Sequence, residues 1–376
     1  MRRRSVVASR FVREDVRVAI VPWLVARGLV VGALLLARHV WDVIGRGERP
    51  VQLGQGLFAW DGAYYRAIAE HGYGSLPRPA LRFFPLVPLA ARGLGTVLLG
   101  HTGLALLIIA NLSALAFGAL LHRVTVMETG DAGAAVRAAW FGALFPAGAA
   151  LVMGYADATA LALAVGVFLA LRTDRFALAG ALGLAAGMTR PLGALLALPA
   201  LIEALRHRSG VSVGAWVRRG IAVAGPPLGL VAFLAWVGAT RHDPWLPFSV
   251  QQRASLRGGF VDPVSRLVDA ARDLGGGDRF GSGLHLVWAL GFLALLVVVA
   301  RRLPASYTAF SALTIVIGLS AENLDSFERY AMGAFPLLIG VALVTRRAQV
   351  ERAALTLAAA GLVGYAVLAF FGVSVP

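Results

Sequence analysis

The chain is a succession of apolar runs of roughly 17–25 residues, and this constrains the fold more than any other feature. Such a run can cross about 30 Å of hydrocarbon as a helix. A segment in lipid must satisfy its own backbone, which leaves only helices and closed barrels. The runs are continuous rather than alternating, so they predict helices. Composition agrees: 58% of the 376 residues are hydrophobic and 15% are charged, whereas soluble domains are nearer half and a quarter. With a mean hydropathy of +0.74, the chain needs lipid as its solvent. The expected fold class is an all-α polytopic membrane protein, with one integral membrane domain over 1–376.

Arginine sets the expected topology. Residues 1–17 carry six arginines and no apolar run, which predicts a cytoplasmic arm and a retained first helix rather than a cleaved signal. Spans are expected near 18–40, 102–124, 134–152, 158–171, 176–188, 192–205, 220–239, 284–300, 305–319, 330–344 and 353–371, about eleven in all. Two long polar regions, 41–101 and 240–283, fall outside, and 83–99 is expected to lie in the interface because prolines and glycines interrupt it. With the N-terminus inside, the basic groups at 123, 172–175, 206–219 (with His207 and Arg208), 301–302 and 346–352 all fall on the cytoplasmic face, as the positive-inside bias requires. The expected location is the plasma membrane, multi-pass. The net charge of +15 is thereby read as membrane anchoring, and no nucleic-acid partner is expected. Cysteine is absent, which excludes disulfides and thiolate metal sites.

This topology gathers the unusual residues on the external face. Asp61, Asp157, Arg190, Arg329 and Tyr330 all sit at span edges on that side. Charges placed so near lipid usually face a wet cavity or a partner. Each alone reads first as a solvated loop charge; together they suggest one shared cavity. Asp61 follows Trp60 and precedes Tyr64 and Tyr65. It is either a helix N-cap in an aromatic belt or a general base for a hydroxyl. Arg66 and Glu70 stand four apart and suit a helix-face pair. His71 has no second histidine at ligand spacing, so no metal is expected. Arg190 lies between Thr189 and the helix-breaking Pro191. It is either a snorkelling end residue or a planar fork for phosphate, and Arg329-Tyr330 repeats the pattern.

These motifs have a familiar order. Trp60-Asp61, Gly72-Tyr73 and Phe83-Phe84-Pro85-Leu86-Val87-Pro88-Leu89 resemble the WD, GY and FFPLYP-like series of the PIG-V family of mannosyltransferases. Phe145-Pro146 with Gly154-Tyr155-Ala156-Asp157 is similar to the family's P…YTE segment, with Ala and Asp for Thr and Glu. Thr189-Arg190-Pro191-Leu192-Gly193 is similar to TRPNG, and Arg329-Tyr330 with Phe335-Pro336 to its late RY…FP segment. The resemblance implies a GT-C-type glycosyltransferase fold with interfacial helices in the first external loop. It implies a polyprenyl-phosphate sugar donor, usually mannose, a non-cytoplasmic site, inversion at the anomeric carbon, and no cofactor or metal. The family's catalytic acid position falls on Asp61.

On that reading, Asp61 is the base, and Arg190 and Arg329 hold the donor phosphate. Trp60, Tyr64, Tyr65, Arg66, Tyr155, Asp157 and Tyr330 contact substrates. Partners are the polyprenyl-phosphate-mannose donor, a glycolipid or glycan acceptor, and membrane lipids. The family's eukaryotic acceptor does not carry over to a chain rich in Ala, Gly, Leu and Arg, like a high-GC bacterial protein. Two rival readings are a lipid or sugar transporter or flippase and a structural subunit of an envelope complex. A transporter is expected to show internal repeats and broken helices at mid-membrane. No repeat is evident, and the odd residues gather at one face.

Overall fold

The computed structural model describes residues 2–206, 210, 212–254, 256–276 and 282–373, with side chains described from residue 13 onward and, after the last gap, from residue 283. His207 and Arg208, of the expected cytoplasmic group, lie outside the described residues, as do 277–281 of the second polar region. The described chain is helical, with one isolated bridge between Phe260 and Ala321. In order the helices are α1 (Arg2–Ile44), α2 (Val51–Gln55), α3 (Asp61–His71), α4 (Leu86–Val97), α5 (Thr102–Thr129), α6 (Ala132–Leu144), α7 (Asp157–Arg172), α8 (Phe176–Thr189), α9 (Ala197–Ala204), α10 (Val213–Arg241), α11 (Leu246–Gln251), α12 (Pro263–Gly275), α13 (Ser282–Arg302), α14 (Ala305–Leu319), α15 (Phe327–Met332), α16 (Pro336–Val344) and α17 (Ala348–Phe370).

Every expected span coincides with helical segments, but length alone carries five of them. α1, α5, α10, α13 and α17 are long and apolar enough to cross a membrane, while α4, α8, α14 and the stretch Pro191–Ala204, 3-10 turns running into α9, are shorter apolar helices. Two expected spans are broken. The one at 134–152 ends as α-helix at Leu144, and Pro146–Leu151 continues as 3-10 turns. Phe145 is extended (φ −52°, ψ 134°), because the ring of a following proline crowds the helical conformation of its neighbour. The span at 330–344 is likewise two pieces: α15 stops at Met332 and α16 restarts at Pro336. The polar regions are not plain loops either, since 41–101 holds α2, α3 and α4, and 240–283 holds α11 and α12.

Close glycine packing fixes one wall of the molecule. A Cβ on Gly187 would lie 2.1 Å from the Pro226 carbonyl oxygen, and one on Gly229 would lie 2.0 Å from that of Leu184. The backbones of α8 and α10 therefore touch directly through small residues four apart, the usual solution where lipid offers no hydrophobic drive for association. This contact holds the end of α8, and hence Arg190, at a fixed depth.

Charged side chains are sorted to opposite ends of the helices. At one end Arg172 grips Glu128 through Nε (2.7 Å) and Nη2 (3.2 Å) and reaches Glu203 at 3.3 Å. The Tyr307 hydroxyl donates to Glu128 at 3.1 Å and Ser306 donates to Glu203 at 2.7 Å. This lock ties α5, α7, α9 and α14 together. The other end of this 16-residue helix carries Asp157, about 22 Å away at 1.5 Å per residue.

Candidate active site

Asp61 opens α3 but does not cap it. The cap position is Trp60, whose backbone has φ 57° and whose side chain makes no capping bond. A positive φ is uncommon for a bulky residue. The surroundings hold it there: the Trp60 indole donates to the Ala369 carbonyl of α17 at 2.9 Å, and the Asp61 amide donates to the Tyr155 hydroxyl at 3.2 Å. That hydroxyl in turn donates to the Ala59 carbonyl at 3.1 Å. Gly62 admits the Tyr155 ring, since a Cβ there would stand 3.3 Å from it. Tyr155 is thus a buried strut beneath the Asp61 backbone.

The Asp61 carboxylate meets guanidiniums from two directions. Arg329 Nη2 of α15 donates to Oδ2 at 2.9 Å, and Arg82 Nη2 lies 3.8 Å from Oδ1. Behind them Asp157 pairs with Arg190, and its Oδ1 lies 3.9 Å from Arg329 Nε. Arg329 and Asp157 side chains are 3% and 4% exposed, while Asp61 is 17% exposed and forms the open end of the group. Burial pushes the Asp61 carboxyl up, but Arg329, Arg82 and Arg190 together outweigh it and hold the group below its ordinary value. Asp61 is therefore ionised at neutral pH.

Cations exceed anions at the site. Tyr330 has the guanidinium of Arg257 4.4 Å from its ring centre, Arg190 at 5.2 Å and Arg329 at 5.6 Å. Arg82 stands over Phe83 at 4.7 Å and Tyr64 at 5.5 Å. Four arginines thus face two carboxylates. Arg329 Nε and Nη1 and Arg82 Nε are buried without a hydrogen-bond partner. A buried charged donor without a hydrogen bond is expensive, and Arg329 Nε has only the more distant Asp157 carboxylate, at 3.9 Å. A groove leads to Arg329 and Arg190. Its apolar wall includes Ala160, Leu161, Ala164, Leu192, Leu196 and Phe310, and its polar end is Asp157, Arg190, Arg329 and Tyr330.

The residues expected from sequence divide accordingly. Asp61, Asp157, Arg190, Arg329, Tyr155 and Tyr330 are brought together from α3, the start of α7 and the turn before it, the residue that follows α8, and α15. Tyr64 stacks on Phe83 at 4.8 Å with a partly exposed face. Tyr65 packs edge-on against Phe83 at 5.1 Å and is buried, so its ring is a packing element rather than a platform. Trp60 is half-buried, with its indole N–H tied to the Ala369 carbonyl of α17. Arg66 pairs with Glu70 at 2.7 Å and lies over Phe58 at 5.1 Å; helix geometry turns both to the surface away from Asp61. His71 is also exposed, 3.8 Å from Glu70. Arg82 and Arg257 were not expected at the site. Arg82 had a signal, its place directly before the Phe-Phe-Pro run. Arg257 had none, sitting in a Gly-rich stretch and held by the Gly318 carbonyl at 2.8 Å. Among the described residues no three His, Asp or Glu side chains gather as a metal-binding group.

No protein-family model matches the chain, and no curated protein matches it. Among solved structures it is similar to an Archaeoglobus fulgidus oligosaccharyltransferase complexed with zinc and sulfate, at 15% identity and a TM-score of 0.43. The match covers 92% of this chain and 52% of that one, so the chain spans about half the length of that protein.

Proposed function

We propose that this chain is a membrane glycosyltransferase of GT-C type, as its resemblance to the PIG-V mannosyltransferases implies. In this reading it moves a sugar, mannose by that resemblance, from a polyprenyl phosphate to a lipid-linked or glycan acceptor on the extracytoplasmic face. The observation that carries the reading is Arg329: a buried guanidinium with two nitrogens that have no hydrogen-bond partner, at the head of an apolar groove, touching the most exposed carboxylate of its cluster. A lipid phosphate matches both halves of that site. Its chain fills the groove and its oxygens complete Arg329 and Arg190 as charge-assisted hydrogen bonds.

The resting Asp61 is a weak base because arginines stabilise its anion. Donor binding changes this: the phosphate draws Arg329 away from Asp61 and raises its basicity only when substrate is present. Asp61 then takes the proton of the acceptor hydroxyl, whose oxygen bonds to the sugar C1 from the side opposite the phosphate. The C1–O bond to phosphate breaks, and its electron pair leaves on the prenyl phosphate. The departing group gains negative charge in a site where guanidiniums are in excess, so stabilisation grows along the reaction, as catalysis requires.

The test uses the purified full chain in nanodiscs with radiolabelled mannosyl-phosphoryl-polyprenol and a total lipid extract as acceptor source. Label should pass to a product of different mobility, and Arg329→Gln should abolish the transfer. Transfer from a nucleotide sugar but not from the prenyl phosphate would overturn the reading.

A further inference from the structure

One cation of the site is held differently from the rest. Arg329 is bonded to Asp61, Arg190 pairs with Asp157, and Arg257 donates to the Gly318 carbonyl at 2.8 Å. Arg82 makes no hydrogen bond to the described residues. Its Nη2 lies 3.8 Å from Asp61 Oδ1, and its Nε is buried without a hydrogen-bond partner. Its backbone is nonetheless fixed. Arg82 ends the 3-10 turn Arg78–Arg82, and the carbonyl of the next residue, Phe83, accepts from the buried Tyr73 hydroxyl at 2.6 Å. The Phe83 ring is buried as well, and the Arg82 guanidinium lies 4.7 Å from its centre and 5.5 Å from that of Tyr64. Arg82 is thus a positioned cation with unused donors.

Asp61 stands between this cation and Arg329. Arg329 binds Oδ2, and Arg82 approaches Oδ1. The two flanks differ in access: Arg329 is 3% exposed, whereas Arg82 and Asp61 are each 17% exposed. The roles of the flanks rest on the transferase reading, in which the donor phosphate occupies the Arg329–Arg190 end and leaves the Oδ1 flank to the acceptor. Four arginines face two carboxylates, an excess of two, and a sugar phosphodiester donor brings only one negative charge. We infer that Arg82 is the acceptor-binding cation, and that the acceptor carries a phosphate close to the hydroxyl that receives the sugar. A guanidinium fork suits that group. Distance sets how close the two are. With hydrogen bonds of about 2.8 Å at each end and 3.8 Å between Asp61 Oδ1 and Arg82 Nη2, the hydroxyl and phosphate oxygens lie at most about 9 Å apart. A single sugar or polyol unit bridges that gap. Tyr64, half-buried and stacked on Phe83 at 4.8 Å, is the aromatic neighbour of that unit. The ligand class is a sugar or polyol phosphate, as a lipid head group or free in solution.

Two measurements on the full chain in nanodiscs at neutral pH test this. The first is transfer of labelled mannose from mannosyl-phosphoryl-polyprenol to a total extract separated into neutral lipids, acidic lipids and the aqueous phase. Label should enter acidic lipids if the acceptor is a head group, or acidic compounds of the aqueous phase if it is free, and should not enter neutral lipids. Arg82→Met keeps an unbranched stem over Phe83 and removes the charge. It should raise the acceptor KM about ten- to a hundredfold, the worth of one charge-assisted hydrogen bond, and leave the donor KM unchanged. Arg82→Lys, which keeps a charge without the planar fork, should fall between. The second measurement needs no turnover. Glucose 6-phosphate, whose hydroxyls lie within one ring of its phosphate, and inorganic phosphate are titrated while thermal unfolding is followed. The half-saturating concentration of glucose 6-phosphate should rise at least about tenfold in Arg82→Met. That of inorganic phosphate, which the Arg329–Arg190 end takes, should not change.

Label in neutral lipids alone, or an acceptor KM unchanged in Arg82→Met, would overturn the inference and leave the transferase reading standing. Equal losses in Arg82→Met with neutral and acidic acceptors would also overturn it, because Arg82 would then act through Asp61 only. If Arg82→Met does not fold, the acceptor KM of Arg82→Lys decides, and no rise there overturns the inference. If the wild-type protein transfers no sugar but its glucose 6-phosphate binding weakens selectively in Arg82→Met, the phosphate site stands and the transferase reading fails. If neither is seen, both fail.

Discussion

Asp61→Asn separates chemistry from charge balance at the site. Asparagine keeps the shape and one acceptor for Arg329 but cannot take a proton. Loss of a general base lowers rates by about 10²- to 10⁴-fold, or roughly 3–5 kcal/mol of barrier. A stability cost accompanies this. Arg329 is 3% exposed, and removing one member of a buried pair costs about 3–5 kcal/mol. The lower end of that range applies, because Asp61 is partly exposed and Asp157 stays 3.9 Å from Arg329 Nε. The assay is transfer under single-turnover conditions with thermal unfolding on the same preparation. The double variant Asp61→Asn with Arg329→Gln removes the orphaned charge, so it should regain stability and stay inactive. A single variant within about tenfold of the wild-type rate would refute the base assignment. A double variant that regained activity with stability would reduce Asp61 to a counter-ion.

Three further outcomes are expected. Arg82→Met removes one of the cations that hold the Asp61 carboxyl down. The wild-type acid limb of kcat/KM should lie below the ordinary carboxylate value of about 3.9, and in the variant it should move to higher pH, since the carboxylate is then lost sooner as pH falls. Arg190→Lys keeps the charge beside Asp157 but loses the planar fork. The donor KM should rise about ten- to a hundredfold, the worth of one charge-assisted hydrogen bond of roughly 1.5–3 kcal/mol, with the fold unchanged in circular dichroism. Glu128→Gln, at the far end of α5, removes the closer of the two carboxylates paired with Arg172 and leaves it with Glu203. It should destabilise the protein in denaturant titration by less than the roughly 3–5 kcal/mol of a fully orphaned buried charge, because Glu203 still pairs with Arg172, while leaving the donor KM as it was, because the lock lies about a helix length from the site.

Helix positions were legible because their cause is local. Each apolar run carries its own backbone hydrogen bonds, so composition and length reveal it without knowledge of neighbours. Where that reading failed, the cause was also local but finer: Pro146 and Pro336 break runs that hydropathy alone joins. The site was half legible. Asp61, Asp157, Arg190 and Arg329 stand out as charges at the edges of apolar segments. Their pairing does not, because Asp61 and Arg329 lie 268 residues apart and nothing in either segment encodes the other. Side-chain direction was also hidden. Trp60 and Arg66 flank Asp61 in sequence, yet one turns to α17 and the other to the surface, since neighbours on a helix point about 100° apart.

The sequence by itself therefore determined a chain of apolar helices with acidic and basic residues at one set of turns, because burial in hydrocarbon is a property of single segments. Only the tertiary structure decided what those residues do to each other. It made Arg329 a shared, incompletely satisfied partner of Asp61 and Asp157, and added Arg82 and Arg257. Charge pairing acts over a few ångströms in a low dielectric, so its energy is set by how the helices pack and not by their order in the chain.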